Sequence, residues 1–211
     1  MTGKAVDRGM NESAILLAAG LGQRYGESKQ DVLFHGKPLW RHAYDTLCAV
    51  VDPARVVTVG KDIPGGATRT LSVRAGLEAL PGDTGRVIIV ESARPMVTSA
   101  QIREILDDTH PSATFVRPLV NAVIFRDGRP LDRNALWDIL TPQAFDYGML
   151  LEAYRSGRYS EMIDDTAIMD AYYGIRPHFI QAGNNLYKVT YPGDLHVIEG
   201  IYQTQREAGM R

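Results

Sequence analysis

The sequence predicts an α/β fold: a mostly parallel sheet with helices on both faces. Three observations carry that expectation. Short aliphatic runs alternate with segments of helical apolar spacing through the first half of the chain. The first run, residues 14–17, is unbroken, as a strand buried on both faces requires. It leads into a small-residue loop with glycines at 20, 22 and 26, closed by Arg24 and Lys29, at a strand end of the kind where open α/β sheets bind ligands.

The elements follow in order. Residues 38–51 fit a helix, with Leu39, Ala43, Leu47 and Val50 at helical spacing and Asp52-Pro53 as its stop. Residues 55–59 read as a second strand ending at Gly60, and residues 70–80 as a helix presenting Leu71, Ala75 and Leu77 to the core. Residues 86–90 are a third strand and 98–107 a third helix. Beyond Pro111 the pattern changes. Residues 119–126 are strand-like, Asp127-Gly128 is a hairpin signal and 131–133 the return, so about 117–135 reads as a protruding β-arm. Residues 144–154 and 167–173 are helical, 178–181 a strand and 193–206 the closing helix. Residues 1–12 lack the apolar core of a signal peptide and read as a flexible tail, leaving 13–211 as a single domain.

Composition narrows the partners. With 211 residues, 45% of them hydrophobic, the chain can bury one core. A net charge of −2 leaves no global basic surface, so nucleic acid is not expected and any anion site must be a local cluster of Arg and Lys. No run is long enough to span a bilayer. Cys48 is the only cysteine, which excludes an internal disulfide and points to a reducing, cytoplasmic setting; it reads as a small core residue. The histidines at 35, 42, 110, 178 and 196 lack the spacing of a helical zinc site.

The loop after the first strand suits a triphosphate. Backbone N–H groups there can approach phosphate oxygens with no large side chain in the way, Arg24 can bridge two oxygens, and Lys29 supplies a point charge. A P-loop would need Gly-Lys-Ser/Thr, and here the order is Gly26-Glu27-Ser28-Lys29. A dinucleotide loop would read GxGxxG, and this one is GxGxxxG. Two further strand-associated segments carry chemistry: Glu91-Ser92-Ala93-Arg94-Pro95, and residues 185–190 around Lys188.

Six separated segments together resemble the cytidylyltransferases that make CDP-alcohols, above all the 2-C-methyl-D-erythritol 4-phosphate and ribitol 5-phosphate enzymes. They are Ala18-Ala19-Gly20-Leu21-Gly22-Gln23-Arg24 with Lys29-Gln30; Gly36-Lys37-Pro38; Gly65-Gly66-Ala67-Thr68-Arg69 through Ser72-Val73; Ala93-Arg94-Pro95; Asp132-Arg133-Asn134 through Trp137 to Thr141-Pro142-Gln143; and Lys188-Val189-Thr190 to Asp194-Leu195. The resemblance implies a Rossmann-like, CTP-dependent enzyme in which Arg24 and Lys29 hold the triphosphate and Mg²⁺ bridges its phosphates. It further implies that Ala18, Ala19, Gly20, Leu21, Gly22, Gly66, Ser72 and Ser92 surround the cytidine. Arg133, Thr141 and Lys188 would bind the acceptor's phosphate, the first two from the partner of a homodimer formed through the arm. Glu91 and Arg94 would face the acceptor's hydroxyls, with Glu91 a further candidate for the metal.

Two departures bear on the acceptor. Glu91 stands where the family usually has Asp, and Ala122 where it has Thr. An unpaired substrate hydroxyl costs about 1–3 kcal/mol, so these changes predict a different polyol phosphate or a phosphonate, with methylerythritol phosphate as the alternative. An inactive nucleotide-binding protein and a nicotinamide oxidoreductase are the rivals from other classes. Taken singly, Arg69 reads as a surface ion-pair partner, Asp164 and Asp165 as helix caps, and Trp40 and Trp137 as core or dimer anchors.

Overall fold

The computed structural model describes residues 11–20, 25–26, 29–158, 162 and 164–209. Six strands form one sheet: β1 (Asn11–Leu17), β4 (Val56–Val59), β5 (Thr84–Glu91), β6 (Ser112–Pro118), β9 (Trp137–Asp146) and β10 (His178–Gln181), in the order β10-β6-β9-β5-β1-β4. The short antiparallel pair β2 (Leu33–Phe34) and β3 (Lys37–Pro38) stands apart from it, ahead of the first helix. β1 runs parallel to β4 and β5, and β10 parallel to β6; β9 alone is antiparallel, inserted between β5 and β6. The expected α/β sheet with an arm is present. β1 begins at Asn11, so residues 11–12 belong to the sheet rather than to a tail.

Alternation along the strands divides the core. Ala14 and Leu16 of β1 and Ile88 and Val90 of β5 face helices α1 (Leu39–Cys48) and α3 (Ser99–Leu106). Ile15, Val87 and Ile89 face α2 (Arg69–Ala79), α4 (Tyr147–Arg155) and α5 (Asp165–Tyr173) on the other side. In α2 the buried stripe is Thr70, Val73, Gly76 and Leu77; Leu71, expected in the core, is 38% exposed. The last helix, α6 (Asp194–Glu207), packs Leu195, Ile198 and Ile201 with Tyr25, Phe34, Leu39, Met96 and Val189. This third cluster seats the loops around the strand ends. Cys48 is partly buried against the first cluster, as is Trp40.

Two central strands escape a reading by periodicity. β6 opens on Ser-Ala-Thr and β9 holds Pro142 in its middle, where a proline argues against a strand. The register explains the tolerance: Thr114 pairs with Gln143 but Phe115 with Leu140, so Thr141 and Pro142 bulge out of the ladder. Residues 144–146, expected to start a helix, instead finish β9 against β5, and the Asp146 carboxylate then caps α4 by accepting from Met149 N at 2.9 Å. Between β6 and β9 lies the arm, a small antiparallel pair of β7 (Val123–Ile124) and β8 (Pro130–Leu131) hydrogen-bonded only to each other. It exposes Val120, Ile124 and Phe125, with Trp137 at its base 44% exposed. Asp108 hydrogen-bonds to His110 and His178, tying edge strand β10 down at the end of the sheet away from the loops that follow β1, β4 and β5. Among the described residues no helix is long and apolar enough to cross a membrane.

Candidate active site

The carboxyl ends of β1, β4 and β5 open into a cavity of about 1040 Å³. Backbone bonds hold its rim together: Ala18 N donates to Val59 O at 2.8 Å and Ser92 N to Leu17 O at 3.0 Å. Ala18, Ala19, Gly20, Lys29, Gly66, Ser72, Glu91, Ser92 and Lys188, all expected at the site, line it. Leu21, Gly22 and Arg24 lie outside the described residues.

The loop joining the β4 end to α2 is shaped by close approach. Ser72 Oγ accepts from Gly66 N at 3.1 Å and donates to Thr68 O at 3.0 Å, while Thr68 caps α2. A Cβ at Gly65 would stand 2.3 Å from Ala19 Cβ, so glycine lets this loop lie against the first one, and a Cβ at Gly66 would stand 2.4 Å from Leu71 Cβ in the first turn of α2.

The charged floor is more organised than spacing alone suggests. Glu91 places Oε2 2.6 Å from Lys188 Nζ and Oε1 3.2 Å from Arg69 Nε. Arg69 lays its fork on Asp165, with Nη1 to Oδ1 at 3.0 Å and Nη2 to Oδ2 at 2.7 Å; the Tyr154 hydroxyl donates to the same carboxylate. Arg69 is therefore more than a partner in a surface ion pair, and Asp165 is no cap: it is fully buried, and the cap of α5 is Asp164, which accepts from Thr166 N. Burial alone would raise the Glu91 carboxyl, but Lys188, then Arg69 and Arg94, hold it down at about 2. Burial would likewise lower Arg69, and Asp165 with Glu91 reverse this and raise it.

This fixes a pH dependence. A Glu91 carboxyl at about 2 in the folded chain lies below its ordinary 4.5, so its stabilisation is complete above pH 4.5 and is lost as pH falls from there towards 2. That difference corresponds to about 3 kcal/mol. Urea midpoints at pH 7 and pH 3 should fall more steeply for the wild-type chain than for Glu91→Gln, and equal falls would show the carboxylate to be unpaired.

Lys188 sits on a loop that Asp194 builds. Asp194 Oδ2 accepts from Thr190 N and Tyr191 N at 2.7 and 2.8 Å, and Val189 N donates to Ala93 O at 2.8 Å, laying the segment alongside the β5 loop. Residues 185–190 therefore form no strand end of their own; Lys188 reaches the cavity by crossing from β10 to the other strands. Lys29 Nζ donates to Val189 O at 3.0 Å, beside it. Lys61, which sequence spacing did not single out, also lines the cavity, paired with Asp31 at 2.6 Å.

Three expected residues are not brought to this cavity. Arg94 is buried, with Nε donating to Thr141 Oγ1 at 3.1 Å and Nη1 to Leu186 O. Thr141 is 4% exposed, with its hydroxyl on Arg94. Arg133 lies in the arm and donates to Val120 O.

Comparison with known proteins agrees with this architecture. A family model described as IspD, 2-C-methyl-D-erythritol 4-phosphate cytidylyltransferase, matches residues 13–204. The 2-C-methyl-D-erythritol 4-phosphate cytidylyltransferase of Azoarcus sp. (strain BH72) is 34% identical, covering 89% of this chain and 92% of that one; its namesake from Desulforamulus reducens is 31% identical, covering 88% and 93%. The crystal structure of the Thermus thermophilus enzyme of that name superposes with a TM-score of 0.74 at 25% identity, covering 91% of this chain and 99% of that one. With the family pattern running through nearly all of the described fold and through the loops that shape the cavity, the chain belongs to the 2-C-methyl-D-erythritol 4-phosphate cytidylyltransferase family and is a nucleotidyltransferase.

Proposed function

We propose that the chain transfers CMP from CTP to 2-C-methyl-D-erythritol 4-phosphate, releasing pyrophosphate. The observation that carries this reading is the set of relatives bearing that name at 31–34% identity over nearly the full length of both chains. They outweigh the two departures that pointed to another acceptor. Glu91 spends its carboxylate on Lys188 and Arg69, and Ala122 lies exposed where β6 passes into the arm. An altered acceptor is thus the weaker reading.

An oxygen of the acceptor's phosphate attacks the α-phosphorus of CTP; a P–O bond forms there as the bond to the β-phosphate oxygen breaks, and the electron pair leaves with pyrophosphate. The attacking phosphate is already ionised near pH 7, so no general base is needed, and alignment with charge neutralisation does the catalysis. Lys29, with Arg24, holds the triphosphate; Lys188 receives the acceptor's phosphate across the cavity floor. Gly66 and Ser92 shape the cytidine side of the pocket, with Ser72 fixing the Gly66 loop.

Mg²⁺ would align and neutralise the triphosphate oxygens. The two carboxylates lining the cavity among the described residues are Glu91, neutralised by two cations, and Asp62, whose Oδ2 accepts from Thr58 N. That donor set suits an ion carried by the nucleotide's phosphates better than one bound by Glu91. The exposed apolar arm with Trp137 at its base fits burial against a second copy, from which Arg133 would reach the partner's site, in a cytoplasmic homodimer.

The test is pyrophosphate release from CTP with methylerythritol phosphate, ribitol phosphate, glycerol phosphate and a simple phosphonate side by side. Efficient turnover of the first alone is expected; preference for another would restore the altered-acceptor reading, and CTP binding without any turnover would indicate an inactive protein.

A further inference from the structure

We propose that Asp165 is a positioning residue: acting through Arg69 and Glu91, it fixes where the Lys188 ammonium stands in the cavity. The proposal rests on the reading of Lys188 as the group that receives the acceptor's phosphate. Four charges alternate in sign from the interior to the cavity: the Asp165 carboxylate, the Arg69 guanidinium, the Glu91 carboxylate and the Lys188 ammonium. Side-chain exposure is 0% at Asp165, 26% at Arg69, 13% at Glu91 and 38% at Lys188, so the ammonium is the link most open to a ligand. An incoming phosphate would add the next negative member.

The links differ in stiffness, and that sets the direction of control. A lysine ammonium is a point charge on a flexible four-carbon stem and needs an external pin, whereas a two-pronged arginine–carboxylate pair fixes distance and orientation together. Lys188 is pinned by one oxygen of Glu91, and Glu91 by Arg69 Nε through the other. Arg69 is pinned by both oxygens of Asp165, which is itself held by the Tyr154 hydroxyl on a neighbouring helix. The helix pair α4 and α5 thus supplies the fixed end. With the Asp165 charge removed, Arg69 loses its two-pronged partner and turns to Glu91, competing with Lys188 for that carboxylate.

The experiment uses the full chain carrying Asp165→Asn, Tyr154→Phe or Glu91→Gln. The first readout needs no substrate: the rate at which trinitrobenzenesulfonate labels Lys188, by peptide mass spectrometry, with exposed Lys37 as the internal reference. All three variants should label Lys188 several-fold faster, Tyr154→Phe least. The second readout is steady-state kinetics, where Asp165→Asn should raise the acceptor KM about tenfold to a hundredfold, with the CTP KM little changed. The double variant Asp165→Asn/Lys188→Ala should be no worse than Lys188→Ala alone, because the two act in series. A lowered melting temperature with wild-type labelling and wild-type acceptor KM would reduce Asp165 to a structural role and overturn the proposal. If the wild-type chain does not turn over methylerythritol phosphate, the functional reading fails, and the labelling rates still decide this one. Should Asp165→Asn not fold, Tyr154→Phe carries both readouts.

Discussion

Replacing Lys188 by alanine is expected to lower kcat/KM by about 10²–10³-fold, the usual cost of one preorganised charge that faces the reacting phosphates. The loss should fall on the acceptor rather than the nucleotide, since Lys188 and Lys29 enter the cavity side by side but from different segments. Titration of CTP by calorimetry should therefore show affinity near wild type while acceptor KM rises steeply. Removing the ammonium also leaves Glu91 with Arg69 and Arg94 as the cations that hold its carboxyl down, so the stability lost between pH 7 and pH 3 should shrink in the same variant. Wild-type acceptor kinetics in Lys188→Ala would place the phosphate elsewhere.

A second large effect concerns the arm. Arg133→Ala and Lys188→Ala should each be nearly inactive alone, yet an exchanged equimolar mixture should recover about a quarter of wild-type activity if Arg133 serves the partner's site. Half of the dimers are then mixed, and one of the two sites in each mixed dimer receives an intact Lys188 and an intact Arg133. If Arg133 served its own protomer, every site would carry one defect and nothing would return. Arg133 lies in the arm, whose apolar side chains are exposed in the protomer, and it is absent from the lining of its own cavity.

Much of this was legible in the sequence, for identifiable reasons. β1, β4 and β5 are apolar runs bounded by turn residues, and helices α1 and α3 carry their apolar side chains at helical spacing. β6 and β9 were hidden because part of their burial rests on small and polar residues, such as Ser112, Thr114 and Gln143, the last two hydrogen-bonded to each other across the strands. In the loop after β1 the glycines and Lys29 marked the site by residue type, whereas Gly66, Ser72 and Ser92 were pointed to by the family resemblance alone. The Arg69–Asp165 pair was not, because 96 positions separate the two and no periodicity links them. Only the packing of both α2 and α5 against α4 brings them together; read singly, each looks like an ordinary surface or capping residue.

The arm's construction bears on how this family can vary. β7 and β8 pair only with each other, so residues can be added or removed at the arm's tip for little beyond loop-closure entropy, about 0.6 kcal/mol for each doubling of length. β9 has no such freedom. A one-residue slip there would turn Leu140 and Ala144 out of the core and misplace Thr141 against Arg94. Natural drift can therefore retune the length of the arm while the cavity floor behind it stays in register, so that the two evolve at separate rates.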